Sequence, residues 1–128
     1  MPTFTNYKKI ARERGSLAYE VYVVTSRPVV EPEEFSKHLP DHLDYLGKAE
    51  TTGQLMMAGP LSDEAGVEMS GIGFQVWRAD SWEEAKALAD GDPMHVSGAK
   101  QYEMRRWLIN EGNMQMNVGL SSRSVSLG

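Results

Sequence analysis

The chain has 128 residues, 41% of them hydrophobic, and no internal repeat, which bounds it to one globular domain able to bury a real core. A formal charge of −5 argues against nucleic acid as a partner, because phosphate binding needs a surplus of Lys and Arg on one face and the Arg105-Arg106 pair is too small to supply it. With no cysteine, disulfide staples, thiolate catalysis and cysteine-ligated zinc or iron–sulfur centres are excluded, and a reducing cytoplasm is the expected compartment.

Residues 1–17 read as a polar N-terminal extension carrying Lys8, Lys9, Arg12 and Arg14, with no apolar run of signal-peptide or transmembrane length, so no membrane is expected as a partner. The first strand is predicted over Ala18-Tyr19-Glu20-Val21-Tyr22-Val23-Val24-Thr25, which is β-branched and aromatic and is stopped by Arg27-Pro28. Pro32-Glu33-Glu34 starts a helix that breaks near Leu39. Pro40 then lies early in a second helix reaching Thr51, because an interior proline would lose a hydrogen bond and clash one turn back. On that second helix His42, Tyr45, Leu46 and Ala49 share one face while Asp41, Asp44 and Lys48 turn outward.

Gly53 is the expected left-handed cap, and Gln54 to Leu61 the second strand, running through Gly59-Pro60. After a turn over Ser62 to Gly66, Ile72-Gly73-Phe74-Gln75-Val76-Trp77 alternates as a third strand, with Gly71 and Gly73 at a bulge or a close approach. Ser81-Trp82-Glu83-Glu84 fits a capping box, in which the serine serves the third amide and Glu84 reaches back, and a helix follows to Asp90. Asp92 caps a short turn that has Pro93 at its first position and Gly98 at its end, and Lys100 to Ile109 is the last core strand. The order βαββαβ is the ferredoxin-like α+β plan, placed at residues 18–110, whose two helices cover one sheet face. The uncovered face predicts a homodimer. In the tail, residues 111–128, Met114, Met116, Val118 and Leu120 alternate with polar residues and predict a strand added to a neighbouring sheet, such as that of the other subunit.

A pair of His42 and Asp92 is the arrangement that carries chemistry. An imidazole titrates near neutral pH, and a carboxylate can fix its tautomer and raise its basicity. Each residue also has a plainer role: His42 as a packed helix residue, and Asp92 as a routine helix cap contributing about 0.5–2 kcal/mol. The two roles of Asp92 are compatible, since one oxygen can cap the turn while the other accepts from the ring. A metal centre built from His38, His42 and His95 is the rival. It is disfavoured because Pro40 separates the first two and no His-Glu-x-x-His run is present, so His38 and His95 are expected to be solvated and no metal is assigned.

Taken together, His42-Leu43-Asp44-Tyr45-Leu46, Gly53, Ala58-Gly59-Pro60-Leu61, Ser81-Trp82-Glu83-Glu84-Ala85, Asp92-Pro93, Gly98 and Trp107 resemble the YciI-like, or YCII-related, family over roughly residues 18–110. The resemblance implies a dimeric α+β barrel with His42 paired to Asp92 in a small pocket, and Gly59 and Pro60 beside that pocket. Tyr22, Trp77 and Met94 are candidate walls, although side chains of these types are more often plain core. One departure weakens the case for an anionic substrate: many relatives carry a basic residue three positions before the pocket histidine, where this chain has Leu39. Lys37, Arg27 or a partner residue could replace it.

The function expected from the pair and the resemblance is cofactor-free proton transfer on a small organic molecule, aromatic or lactone-like, as an isomerase, lyase or dehydrohalogenase. Barrels of this kind include muconolactone isomerases and a dehydrochlorinase of chlorinated hydroxyquinol. The alternative is a non-catalytic dimeric module that binds a small ligand or another protein. The haem and oxygenase roles of distant relatives have no ligand signal here.

Overall fold

The computed structural model describes residues 1–128. Two units are distinguished by their internal contacts, one of Glu20–Trp107 and one of Met1–Tyr19 with Leu108–Gly128. The larger is built on a four-stranded antiparallel sheet in the order β2-β3-β1-β4, with β1 Tyr19–Pro28, β2 Leu55–Ser62, β3 Met69–Trp77 and β4 Lys100–Ile109. Helices α2 Pro32–Lys37 and α3 Leu39–Thr52 follow β1, whereas α4 Trp82–Asp90 and α5 Pro93–Val96 precede β4. This is the expected α+β plan with two central strands, β1 and β3. Pro40 sits in the first turn of α3, where its missing amide costs nothing, and Gly53 caps that helix at φ +81°.

The register decides which side chains face the helices. Tyr22 lies opposite Trp77, Val24 opposite Gln75 and Ser26 opposite Gly73, so these six share one face, while Val23, Thr25, Phe74 and Val76 point to the other. On the helix side Tyr22, Val24, Leu55 and Trp77 form the core with Ala49, Ala85 and Ala89. The three alanines matter because they let α3 and α4 descend onto the indole of Trp77, which is 0% exposed. Losing a buried aromatic of this size typically costs about 3–5 kcal/mol. Gly71 is required twice over: its φ is +80°, and a Cβ there would meet Cγ of Pro28 at 2.9 Å.

Helix α4 begins at Ser81, whose hydroxyl accepts from the Glu84 amide at 3.1 Å. The Glu84 carboxylate takes the Asp80 amide at 3.0 Å, one residue before the cap it was expected to serve. At the other end the chain turns through Gly91 into Asp92, the N-cap of α5, with Pro93 at the first helical position. Tyr45 fixes α3 against this corner by donating its hydroxyl to the Leu88 carbonyl at 2.6 Å, with its ring 6.2 Å from that of Trp77.

Three features depart from the sequence expectations. Phe4–Glu13, within the N-terminal extension, is a helix, α1, not expected from the sequence and capped by the Thr3 hydroxyl at 3.1 Å from the Asn6 amide. Phe4, Tyr7 and Ala11 carry the helical spacing that its lysines and arginines obscure. The tail pairs with itself: β5 Asn117–Val118 and β6 Val125–Ser126 form a separate two-stranded sheet, closed by a hydrogen bond from the Gly119 amide to the Ser124 carbonyl at 2.8 Å. Of the expected strand only Asn117 and Val118 are paired, and their partners lie in the same tail. Finally, His95 is held rather than solvated, its Nδ1 donating to the Ala89 carbonyl at 2.6 Å and its Nε2 lying 2.7 Å from the Ser26 hydroxyl.

The α3–corner contact leaves no room at Gly91, where an added Cβ would lie 2.6 Å from the Tyr45 hydroxyl oxygen. Gly91 has an ordinary helical φ of −78°, so alanine there would normally be neutral or favourable. Here Gly91→Ala is expected instead to destabilise by about 1–3 kcal/mol through crowding, and Tyr45→Phe by about 1 kcal/mol through the lost hydrogen bond. Denaturant unfolding of the two variants and of their combination measures both. Gly91→Ala should cost less once the hydroxyl is absent.

Candidate functional site

Asp92 is 0% exposed, and burial by itself works to raise its carboxyl pKa. The structure answers with donors. His42 Nδ1 lies 2.8 Å from Oδ1 and 2.9 Å from Oδ2, the Met94 amide donates to Oδ1 at 2.9 Å, and the Gln75 amide nitrogen donates to Oδ2 at 3.1 Å. Together they outweigh the desolvation and hold the carboxyl below its usual range.

Each donor is placed by a different element. His42 comes from α3 one turn before Tyr45, the Met94 amide is a free N–H in the first turn of α5, and Gln75 projects from β3 toward the helices. Gln75 cannot present either end at random. The Trp77 indole N–H donates to its Oε1 at 3.0 Å, and an indole has no acceptor, so the amide nitrogen must face Asp92. An indole, an amide, a carboxylate and an imidazole therefore form one chain. Since a carboxylate only accepts, the proton between Asp92 and His42 sits on Nδ1, and Nε2 is left without a protein partner.

The His42 ring lines a cavity of about 550 Å³. Its walls are mostly hydrocarbon, from Phe35, Leu39, Leu43, Leu46, Ala58 and Pro60, with Gly71, Gly73 and Gln75 of β3 along the floor. Gly59 also lines it, and a methyl on Gly59 would meet no protein atom within 4 Å, so packing inside the chain does not require glycine there. Asp92 lies behind His42, outside the lining.

Three sequence candidates for the walls belong elsewhere. Met94 is 0% exposed and sits under α5, and Trp77 is core. Tyr22 packs in the same core, edge-on to Trp82, and turns its hydroxyl to Glu20 at 3.4 Å. The three histidines do not converge, because His38 bonds to Glu34 at 3.2 Å and His95 to Ser26 and Ala89, and no group of three or more metal-binding side chains occurs.

Two residues of the site were missed from sequence. Gln75 was read as the polar half of an alternating strand. Trp77, two positions on, was the available signal, because it puts Gln75 on the core face. Lys100 was read only as the first residue of a strand, yet it is 8% exposed and lines the cavity. Lys37, considered as the pocket cation, instead pairs with Glu34 at 3.0 Å on the surface.

Removing a partner from Asp92 leaves buried groups unpaired. Asp92→Asn, which cannot accept from all three donors, is expected to cost about 2–3 kcal/mol, read from denaturant midpoints at neutral pH. Because the folded pKa of Asp92 is depressed, the unfolded chain binds its proton first as pH falls, and stability is retained above the unfolded value of about 3.9 and declines from there down through the folded value. Denaturation between neutral pH and pH about 3 should show this decline in the wild type, and the decline should be shallower in Asp92→Asn.

Comparison with known proteins bears on the family and the fold. Residues 19–108 match the family described as the YCII-related domain. A Bacillus subtilis (strain 168) protein, described as Uncharacterized protein YjpA, is 31% identical over 80 residues, covering 62% of this chain and 87% of that one. Among solved structures, 5-chloro-2-hydroxyhydroquinone dehydrochlorinase (TftG) from Burkholderia phenoliruptrix AC1100, in complex with 2,5-dihydroxybenzoquinone, superposes with a TM-score of 0.50 at 18% identity, over 68% of this chain and 92% of that chain. At that identity the likeness concerns the fold. The family match, which extends from β1 to β4, establishes that this chain belongs to the YCII-related family.

Proposed function

We propose that this protein is a cofactor-independent enzyme that moves a proton on a small, largely apolar organic molecule, with His42 as general base and acid and Asp92 as its positioning residue. The observation that carries the reading is the 2.8 Å contact from His42 Nδ1 to Asp92 beside the cavity, which leaves Nε2 as the unbonded nitrogen. Neutral His42 takes a substrate proton on Nε2. The imidazolium so formed is stabilised by a carboxylate already held as an anion by the Met94 amide and Gln75. Return of that proton to another atom completes an isomerisation; departure of a leaving group from the carbanion completes an elimination.

The neighbour's dehydrochlorination is an elimination of this class, which makes 5-chloro-2-hydroxyhydroquinone a reasonable first compound to test. A homodimer through the sheet face that carries Val23, Phe74 and Val76, and a cytoplasmic location consistent with a cysteine-free chain, belong to the same proposal. No helix is long and apolar enough to cross a membrane.

Two measurements test the reading. In D2O, wild-type protein incubated with a panel of enolisable lactones and hydroquinones should catalyse deuterium incorporation or halide release, and His42→Ala should lose about 10²–10⁴-fold of that rate while remaining folded. A His42→Ala variant as active as wild type, or one that unfolds because the pair is merely structural, would sink the enzymatic reading. Light scattering should return twice the chain mass of 14.3 kDa, and a monomer at micromolar concentration would remove the dimer.

A further inference from the structure

The cavity holds a cation that the proton-transfer reading does not use. Lys100 begins β4, yet its amine ends near β3: a Cβ built on Gly73 would lie 3.2 Å from Nζ. Strand β1 lies between β4 and β3, and the residue opposite Gly73 on β1 is Ser26, so a small side chain and then no side chain clear the path of the lysine stem. The ammonium has no carboxylate partner and no hydrogen bond to a protein group. It lies over the Phe35 ring, 5.1 Å from the centroid, a weak interaction for a charge removed from water.

Burial pushes the pKa of Lys100 down, and the field of Asp92 only partly opposes it. Asp92 is itself engaged by His42, Gln75 and the Met94 amide. A folded chain seldom carries an unpaired buried ammonium, because a hydrocarbon side chain of the same length would be more stable. The missing counter-charge belongs to whatever fills the cavity.

Building on the proposed function, we infer that Lys100 is the substrate-binding cation of this site, and that the cavity takes small hydrophobic molecules bearing one oxyanion on an sp² carbon, as in a carboxylate, phenolate or enolate. The apolar walls take the hydrocarbon body, Lys100 takes the oxygen, and His42 Nε2 works on the carbon skeleton. The lysine also fills the role left open at Leu39: the cation enters from β4 and not from the start of α3.

The test compares charged and neutral probes of one shape by calorimetry. Benzoate against benzamide reads a carboxylate, and 4-nitrophenolate against 4-nitroanisole reads a phenolate, so the two pairs separate the two sources of the oxyanion. Wild type should prefer at least one anion over its neutral partner by about tenfold or more, as expected for a charge-assisted hydrogen bond. Lys100→Met should abolish that preference, keep the binding of the neutral probes and melt at or above the wild-type temperature, since it relieves a buried charge. Lys100→Gln provides a second neutral variant should the thioether fold poorly, and Lys100→Arg should retain the preference. His42→Ala should keep it too, so an anion preference that depends on Lys100 stands even if proton transfer at His42 fails its own test. Wild type without anion preference, or Lys100→Met and Lys100→Gln with the preference intact, would overturn the assignment.

Discussion

A carboxylate with no contact to solvent is the constraint on which this structure turns. Left alone in the interior, Asp92 would be protonated or would unfold its surroundings. It stays ionised because α3, β3 and α5 each deliver a donor to it, and those three elements are thereby fixed relative to one another. Polar satisfaction and helix capping are met by the same two oxygen atoms. The consequence for the site is directional: one imidazole nitrogen is occupied by the carboxylate, and the other has no protein partner.

Behind that carboxylate the polar chain continues to Gln75 and ends at the Trp77 indole. An indole can only donate, so the amide is oriented by chemistry and not by chance, and the orientation is passed to the carboxylate. Trp77 is also the largest fully buried side chain of the core, with the alanines of α3 and α4 packed on it. Packing and proton placement are coupled through this one residue. A change that loosens the core under the helices would also disturb the Gln75 donor that helps to hold Asp92 ionised.

The cavity is apolar, with His42, Gln75 and Lys100 as the polar side chains of its lining. His42 is held by a buried anion, and Lys100 by little but its stem and the Phe35 ring. Such an arrangement costs stability in the empty protein, which is the usual mark of a site shaped for a ligand rather than for folding. Fold and chemistry separate cleanly here. A backbone shared with a structure at 18% identity fixes where strands and helices lie, whereas the side chains at positions 39, 42, 75 and 100 decide what the hollow can hold.

Much of this was legible in the residues alone. Binary pattern and punctuation determined the βαββαβ order, the break at Pro40, the cap at Gly53, the start of α4 at Ser81 and the role of Asp92-Pro93, because each depends on contacts within a few positions along the chain. The meeting of His42 with Asp92 was legible chiefly through likeness to a family, since a separation of fifty positions along the chain says nothing about distance. Gln75, Lys100 and the self-paired tail were decided by tertiary structure. The face on which a strand residue lands, the strand next to it and the residue small enough to let a lysine pass are properties of sheet order and register, which no local pattern encodes.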